Sequence, residues 1–418
     1  MLDRTHAPDF VKSNSFQLPR TLNTTLPNGV KVIHLNNIQQ EIAKIELVFE
    51  AGKWFEPKSE VSHFTVQMLD KGTLSRSSRE IAEIFDQYGA HIELNSNYDF
   101  ATVSLYTLSK HIHLLIPVLF EMLTAPAFNE SELNQLKEHS IQALRVKNEK
   151  TSYLASRLIR QKVFGLEHPY GKSAEIVDVE NITTPDLSDF FTSQMKPTHV
   201  FILGQLHEKD YTDLALRVNE LGVANSNTPS FTFPNQQSPP DYVTKAGSVQ
   251  TSIRLGKSAI QRNHPDYPGL LLLNYYLGGY FGSRLMKNLR EDKGLTYGIS
   301  SSISSFKNES LVLIGTDVNR ENRDLAIDEI NREIKFLKTE INVDDLELAK
   351  RHFIGSLQGE MASPFSIMGK IKNLELHELP SDYYQNLISN IDQATSHKLT
   401  ELAYKYLGED SFSQISVG

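Results

Sequence analysis

The chain contains no cysteine and a single tryptophan in 418 residues. Without a thiol there can be no disulfide, no thiolate metal ligand and no cysteine nucleophile, and the absence suits reducing and oxidising compartments alike. Excess positive charge is lacking too: 42 Lys and Arg face 51 Asp and Glu, a net charge of -9. No local Lys/Arg cluster reverses that sign, so the protein has no field to gather phosphates, and nucleic acid is not expected as a partner. Long apolar runs are missing as well. The nearest, LLIPVLF at 114–120, falls far short of the roughly 20 residues that cross a bilayer, and the opening MLDRTHAPDFVK has no apolar stretch of signal-peptide length. No membrane partner is expected. Cytoplasm is the expected compartment, with periplasm left open if a leader is removed.

What is present is enough apolar material for two cores. Hydrophobic residues make up 39% and charged ones 22%, and a chain of this length exceeds what one core usually serves. The same plan also occurs twice. NESELNQLKEHSIQAL from Asn129 and NVDDLELAKRHFIGSL from Asn342 align at a fixed offset of 213, matching Leu133 to Leu346, Lys137 to Lys350 and His139 to His352. Each segment opens on Asn with an acid three residues later, close to the capping-box pattern of a helix start. TPDLSDFF at Thr184 and TSHKLTELA at Thr395 extend the repeat, and a period this long means two similar domains. Between them, residues 224–242 are rich in Asn, Ser and Pro and lack any period. The expected organisation is domain 1–223, linker 224–242 and domain 243–418.

Strands read clearly in the first half. KIELVFEAG places Ile45, Leu47 and Phe49 on one face, FATVSLY does the same with Ala101, Val103 and Leu105, and LPNGVKV supplies a turn before an earlier strand. Ile112, Leu115, Ile116, Leu119 and Leu123 mark an amphipathic helix. Strand pairs interleaved with long helices, without regular strand-helix-strand alternation, indicate an α+β fold: two homologous domains, each a mostly antiparallel sheet packed with helices.

One short helix carries the chemistry to be judged. In VSHFTVQMLDKGT the residues Val61, Phe64, Thr65, Met68 and Leu69 recur at the spacing of one buried face. His63 and Gln67 lie one turn apart on another face, where two ligands of one metal would sit. From LPNGVKV through EAGKWFEP and this helix to EHPYGKS, the chain resembles the pitrilysin/insulinase family of zinc peptidases, the inverzincins, and within it the branch that includes the mitochondrial processing peptidase. In active members the helix reads His-x-x-Glu-His, two imidazoles holding zinc and the glutamate serving as base. Here His63 is followed by Val66 at the base position and Gln67 at the second ligand position. The resemblance puts the third ligand at Gln142 or Ala143, neither an acid. One imidazole cannot build the three-ligand site of catalytic zinc, so no metal is expected in this chain. Other His/Glu-bearing stretches, LHEKD, LEHPY and LHELP, also lack a second histidine in register. A bare solvated or interdomain histidine explains His63 without any metal task.

A second motif is complete. GSRLMKNLREDKGLTYGISS carries Arg290 and Tyr297 at the spacing the family uses to grip a substrate carbonyl and its developing oxyanion. Ser283 is expected as N-cap, Leu285 and Leu289 as the apolar face, Gly294 as the stop, and the residues from Leu295 as a strand. A guanidinium and a phenol are donors suited to charge on a carbonyl oxygen. The same residue types fit a helix-terminal cation and a half-buried strand aromatic. The adjoining LGGYFGS lacks the preceding strand and Lys-Ser ending of a phosphate loop. One departure from the family is Glu93, which stands where active members carry an asparagine that binds substrate backbone.

In the family's two-chain enzymes one subunit supplies the zinc helix and the other the arginine-tyrosine pair. The resemblance therefore implies a non-catalytic partner subunit of a heterodimeric zinc metallopeptidase, supplying Arg290 and Tyr297 to a shared site, inactive alone, with zinc only in the partner. The implied partners are a zinc-bearing paralogue, or a second copy in a homodimer, and peptide substrates. The alternative is a catalytically inert structural or peptide-binding homologue. A self-sufficient peptidase with an unrecognised site is a third reading, which metal analysis would decide.

Overall fold

The computed structural model describes residues 16–223, 238–408 and 411–418. The first half contributes strands β1 (Leu22–Thr25), β2 (Lys31–Leu35), β3 (Ile42–Phe49), β4 (His91–Ser96), β5 (Ala101–Leu108) and β6 (Pro197–Leu203). Its helices are α1 (Val61–Gln67), α2 (Ser78–Gln87), α3 (Ile112–Thr124), α4 (Glu130–Asn148), α5 (Thr151–Phe164), α6 (Ile176–Asn181), α7 (Thr184–Gln194) and α8 (Glu208–Glu220). The second half contributes β7 (Tyr242–Val243), β8 (Gln250–Ala259), β9 (Thr296–Ser305), β10 (Ser310–Asn319) and β11 (Ser413–Val417). Its helices are α9 (Tyr267–Asn274), α10 (Arg323–Phe336), α11 (Val343–Gly359), α12 (Pro364–Leu376), α13 (Tyr383–Gln393) and α14 (Ser396–Tyr406), with π-helical turns at Tyr275–Gly279 and Met286–Asp292.

Each half is one sheet with helices, the α+β layering that the interleaved strand pairs require. The sheets run β1-β2-β6-β3-β5-β4 and β7-β11-β8-β10-β9. Both are mostly antiparallel, with one parallel pair each, β2 with β6 and β7 with β11. β4 and β9 close the two sheets as corresponding edges.

The helix starts lie where the capping patterns put them. Asn342 accepts from the amide of Asp345 at 3.0 Å and opens α11, while Thr183 and Thr395 cap α7 and α14. Asn129 opens α4 without a side-chain cap. The turn in LPNGVKV is made by Gly29 in the left-handed region, φ 85°. The linker expected over 224–242 lies outside the described residues at 224–237. Its last residue is not linker: Tyr242 is the first of β7 and pairs with Ser416.

The halves are not independent layers. β3 and β5 read as strands with one buried face, yet β3 is buried on both sides, because the second half's α12 crosses behind the first sheet. Met368 and Ile371 of α12 join Ile33, Leu35, Val48 and Phe201 in a separate apolar cluster, and Lys372 reaches buried Glu46 at 2.5 Å. The exchange is reciprocal. Ala155 and Ile159 of α5 pack on Ile415 and Val417 behind the second sheet, so closely that a Cβ at Gly256 would lie 2.8 Å from Ile159. Thr151 and Pro364, which begin the two exchanged helices, stand at the same offset as Asn129 and Asn342. Phe16 likewise leaves the first half to pack in the second core.

Candidate functional site

The zinc-motif helix α1 lies against α7 and edge strand β4. Val61, Phe64, Thr65, Met68 and Leu69 are buried as the spacing predicts. Val66 joins them with no exposed surface, so the residue at the base position is part of the core. Gln67 shares the other face with His63, and its Nε2 donates to the carbonyl of Leu94 in β4 at 2.7 Å. The amide thus ties helix to strand. Glu93, beside it, accepts from the Tyr106 hydroxyl at 2.8 Å, while Gln142 and Ala143 are exposed on α4.

The electrostatic neighbours of His63 are one acid, Glu60, and two lysines, Lys53 and Lys147. Burial holds its imidazole below the usual range, opposed by Glu60 and reinforced by Lys53 and Lys147. Lys53 itself bonds Glu60 at 2.8 Å. Burial would depress that ammonium, but Glu60, with Glu56 and Tyr98, leaves it raised. Glu56 accepts from the amides of Glu60 and Ser62 at 3.2 and 3.1 Å, binding the first free amides of α1. An ammonium ion-paired at this helix start, a buried Val66 and a Gln67 spent on Leu94 do not fit a zinc centre. Among the described residues no group of three or more His, Asp or Glu could hold a metal ion.

Glu56 gives this corner a testable pH signature. Burial pushes its carboxyl up to about 7, against the pull of Lys53. The unfolded chain releases that proton near 4.5 and the folded chain only near 7, so this group lowers stability as pH rises through that window. Unfolding midpoints of Glu56→Gln and the parent, measured from pH 4.5 to 8, are expected to shift relative to each other in favour of the variant as pH rises. A gap independent of pH would contradict the assignment.

In the second half, Arg290 and Tyr297 come together. Leu285 and Leu289 are fully buried, Gly294 turns the chain at φ 61°, and Tyr297 is the second residue of β9. Two local features differ from the sequence expectation. The segment Met286–Asp292 is π-helical, not α-helical, and the buried hydroxyl of Ser283 caps nothing; the Ser283 carbonyl instead accepts from Lys287 at 3.0 Å. The acids of α10 absorb the neighbouring polar groups: Glu333 holds Arg284 at 2.6 Å and Asn288 at 2.7 Å, and Glu329 holds Lys293 at 3.5 Å.

Arg290 escapes that network. Among the described residues no carboxylate lies within ion-pair distance of it. Its guanidinium instead sits 4.7 Å from the ring centre of Phe281 and 5.3 Å from that of Tyr297, a cation held by aromatic faces. Tyr297 is 91% exposed and Phe281 61%, so the strand aromatic is not half-buried. Such rings set a guanidinium's orientation without using its N–H donors. Measured against the phosphate-loop pattern alone, LGGYFGS gives Phe281 no role; the signal it does carry is an aromatic set among glycines ahead of a charged helix.

Each half of the chain matches a family model. The family model described as Insulinase (Peptidase family M16) matches residues 31–168, and that of the Peptidase M16 inactive domain matches 181–353. The Bacillus subtilis "Uncharacterized zinc protease YmxG" is 24% identical over 92% of this chain and 95% of its own length. The Helicobacter pylori "Non-peptidase homolog YmxG" is 23% identical over 93% and 92%. A crystal structure of a peptidase M16 inactive domain from Pseudomonas fluorescens superposes with a TM-score of 0.85 at 24% identity, over 96% of this chain and 98% of that one. The names of the relatives point both towards and away from catalysis, so the decision rests on the side chains.

Proposed function

The chain belongs to the insulinase (M16) peptidase family, and from that premise we propose that it is the non-catalytic subunit of a two-chain zinc peptidase, contributing Arg290 and Tyr297 to a shared active site. The observation that carries this reading is the contrast between the two motifs. Val66 and Gln67 of the zinc motif are engaged in core packing and in a bond to β4, while among the described residues the polar donors of Arg290 and the exposed Tyr297 have no partner. Donors of this kind, aimed at a peptide carbonyl, stabilise the charge that develops on its oxygen. The metal and the activated water belong wholly to the partner, and no step of that chemistry passes through His63. Substrates of this reading are peptides held extended along a sheet edge. None of the described helices is long and apolar enough to cross a membrane, and cytoplasm is the compartment we assign.

Gln67 on the Leu94 carbonyl favours a second reading, an inert structural or peptide-holding homologue, because the chain ties up its own first-half edge strand. Mixing the protein with a paralogue that carries the full His-x-x-Glu-His helix separates the two. The shared-site reading expects peptide cleavage by the mixture that neither chain shows alone, with less than stoichiometric zinc in this chain by metal analysis. Absence of cleavage together with stable homodimers supports the inert reading, and stoichiometric tightly bound zinc in this chain alone overturns both.

A further inference from the structure

Behind the second sheet, α5 covers β8 and β11 and reaches Leu311 and Leu313 of β10, but leaves the Gly315–Asp317 end of β10 and the neighbouring part of β9 open beside Tyr297. There a cavity of about 570 Å³ is lined by Arg254, Tyr297, Gly298, Ser300, Gly315 and Asp317. Arg254 is only 9% exposed. Its side chain runs flat over Gly315, where a Cβ would lie 3.1 Å from Arg254 Cδ. Nη1 donates to the carbonyls of Ile253 and Thr316 at 2.8 and 2.9 Å and to Asp317 Oδ1 at 3.2 Å, and Nε donates to Ser156 at 3.1 Å. Among the described residues Nη2 has no acceptor. Asp317 sits at a register shift in the β9–β10 pairing, a bulge of the kind that re-aims a side chain, and among the described residues its Oδ2 has no donor.

The matching place in the first half is closed. There the buried acid Glu46 is saturated by Lys44 at 2.7 Å and Lys372 at 2.5 Å, and the ring of Tyr106 lies 6.0 Å from Phe365 of the exchanged helix α12. The second half thus has an open cavity in which a buried donor, Arg254, and a half-exposed acceptor, Asp317, are paired to net neutrality and, among the described residues, each keep one polar atom without a protein partner.

We propose that this cavity binds the carboxamide side chain of a glutamine or asparagine in an extended polypeptide. A primary carboxamide offers one carbonyl for Arg254 Nη2 and one N–H for Asp317 Oδ2. A carboxylate brings no donor and meets Asp317, an ammonium meets Arg254, and an aliphatic side chain displaces water from both groups without replacing its hydrogen bonds. The inference deepens the proposed function by naming a substrate preference beside Tyr297, and it rests on that reading for the polypeptide being a substrate.

The test uses the full chain alone, so that it does not depend on any partner. Fluorescently labelled peptides, acetylated and amidated at their ends and differing only in a central Gln, Glu, Lys or Leu, are titrated by anisotropy. The Gln peptide is expected to bind about tenfold more tightly than the others. A Cβ at Gly298 meets nothing within 4 Å, so Gly298→Leu fills the cavity without disturbing the strand and should erase the preference at unchanged melting temperature. Asp317→Asn, which replaces the repelling carboxylate by a donor, should bring the Glu peptide up to the Gln peptide. Equal binding of Gln and Leu peptides, an unaltered preference in Gly298→Leu, or no measurable binding of any peptide would overturn the proposal. Loss of cleavage with a partner while the Gln preference persists would count against the shared active site alone.

Discussion

In a complex assembled with a zinc-bearing paralogue, Arg290→Ala is expected to lower kcat/KM for peptide cleavage by about 10²- to 10³-fold, the usual effect of deleting a preorganised donor at a developing oxyanion. Its guanidinium has no carboxylate partner among the described residues, so nothing electrostatic is orphaned when it goes and the fold should not suffer. Melting temperature therefore serves as the control. Tyr297→Phe keeps the ring that flanks the guanidinium and removes only the phenol. A neutral hydrogen bond is worth about 1 kcal/mol, which makes the expected loss about three- to tenfold. Arg290→Lys is the sharper variant: it keeps the charge but loses the planar fork, and should recover only part of the rate. If Arg290→Ala and Tyr297→Phe complexes cleave as fast as the parent, the pair has no part in the reaction.

The arginine-tyrosine pair and the altered His63–Gln67 motif are legible in the sequence because each is local in the chain. Helix periodicity assigns the buried stripe of α1, and the Asn-x-x-acid patterns locate the starts of α4 and α11, since capping is decided within one turn. Other features depend on residues far apart. The one-faced pattern of β3 gives no hint that Val48 and Glu46 are covered, because α12, which covers them, lies more than 300 residues on. Gln67 is legible as a poor ligand, but its bond to Leu94 requires knowing that β4 runs beside α1. The π-helical turn before Gly294 likewise has no signature in residue type. Long-range packing decided each of these, and it also set which apparent site positions became structural.

The EHPYGKS segment shows what such a position contributes. Tyr170→Ala is expected to cost about 3–5 kcal/mol, the range for truncating a buried aromatic, measured as a shift of the denaturant midpoint. Tyr170 has no exposed surface. Its ring stacks on Phe306 at 4.4 Å and meets Trp54, Tyr98 and Phe164. Its hydroxyl donates to Asp99 at 2.6 Å and accepts from the amide of Asn308 at 3.2 Å. Asp99, whose carboxyl burial raises, also takes the amide of Lys307 at 3.0 Å, so one tyrosine joins the β4–β5 and β9–β10 turns across the two halves. Tyr170→Phe should cost only about 1–2 kcal/mol, since the ring stays while Asp99 loses a donor and the Asn308 amide an acceptor. Both variants should still unfold in a single transition. Each half covers its sheet with a helix from the other, so unfolding either one strips apolar surface in both; two separated transitions in Tyr170→Ala would mean that this aromatic contact, and not the exchanged helices α5 and α12, holds the halves together.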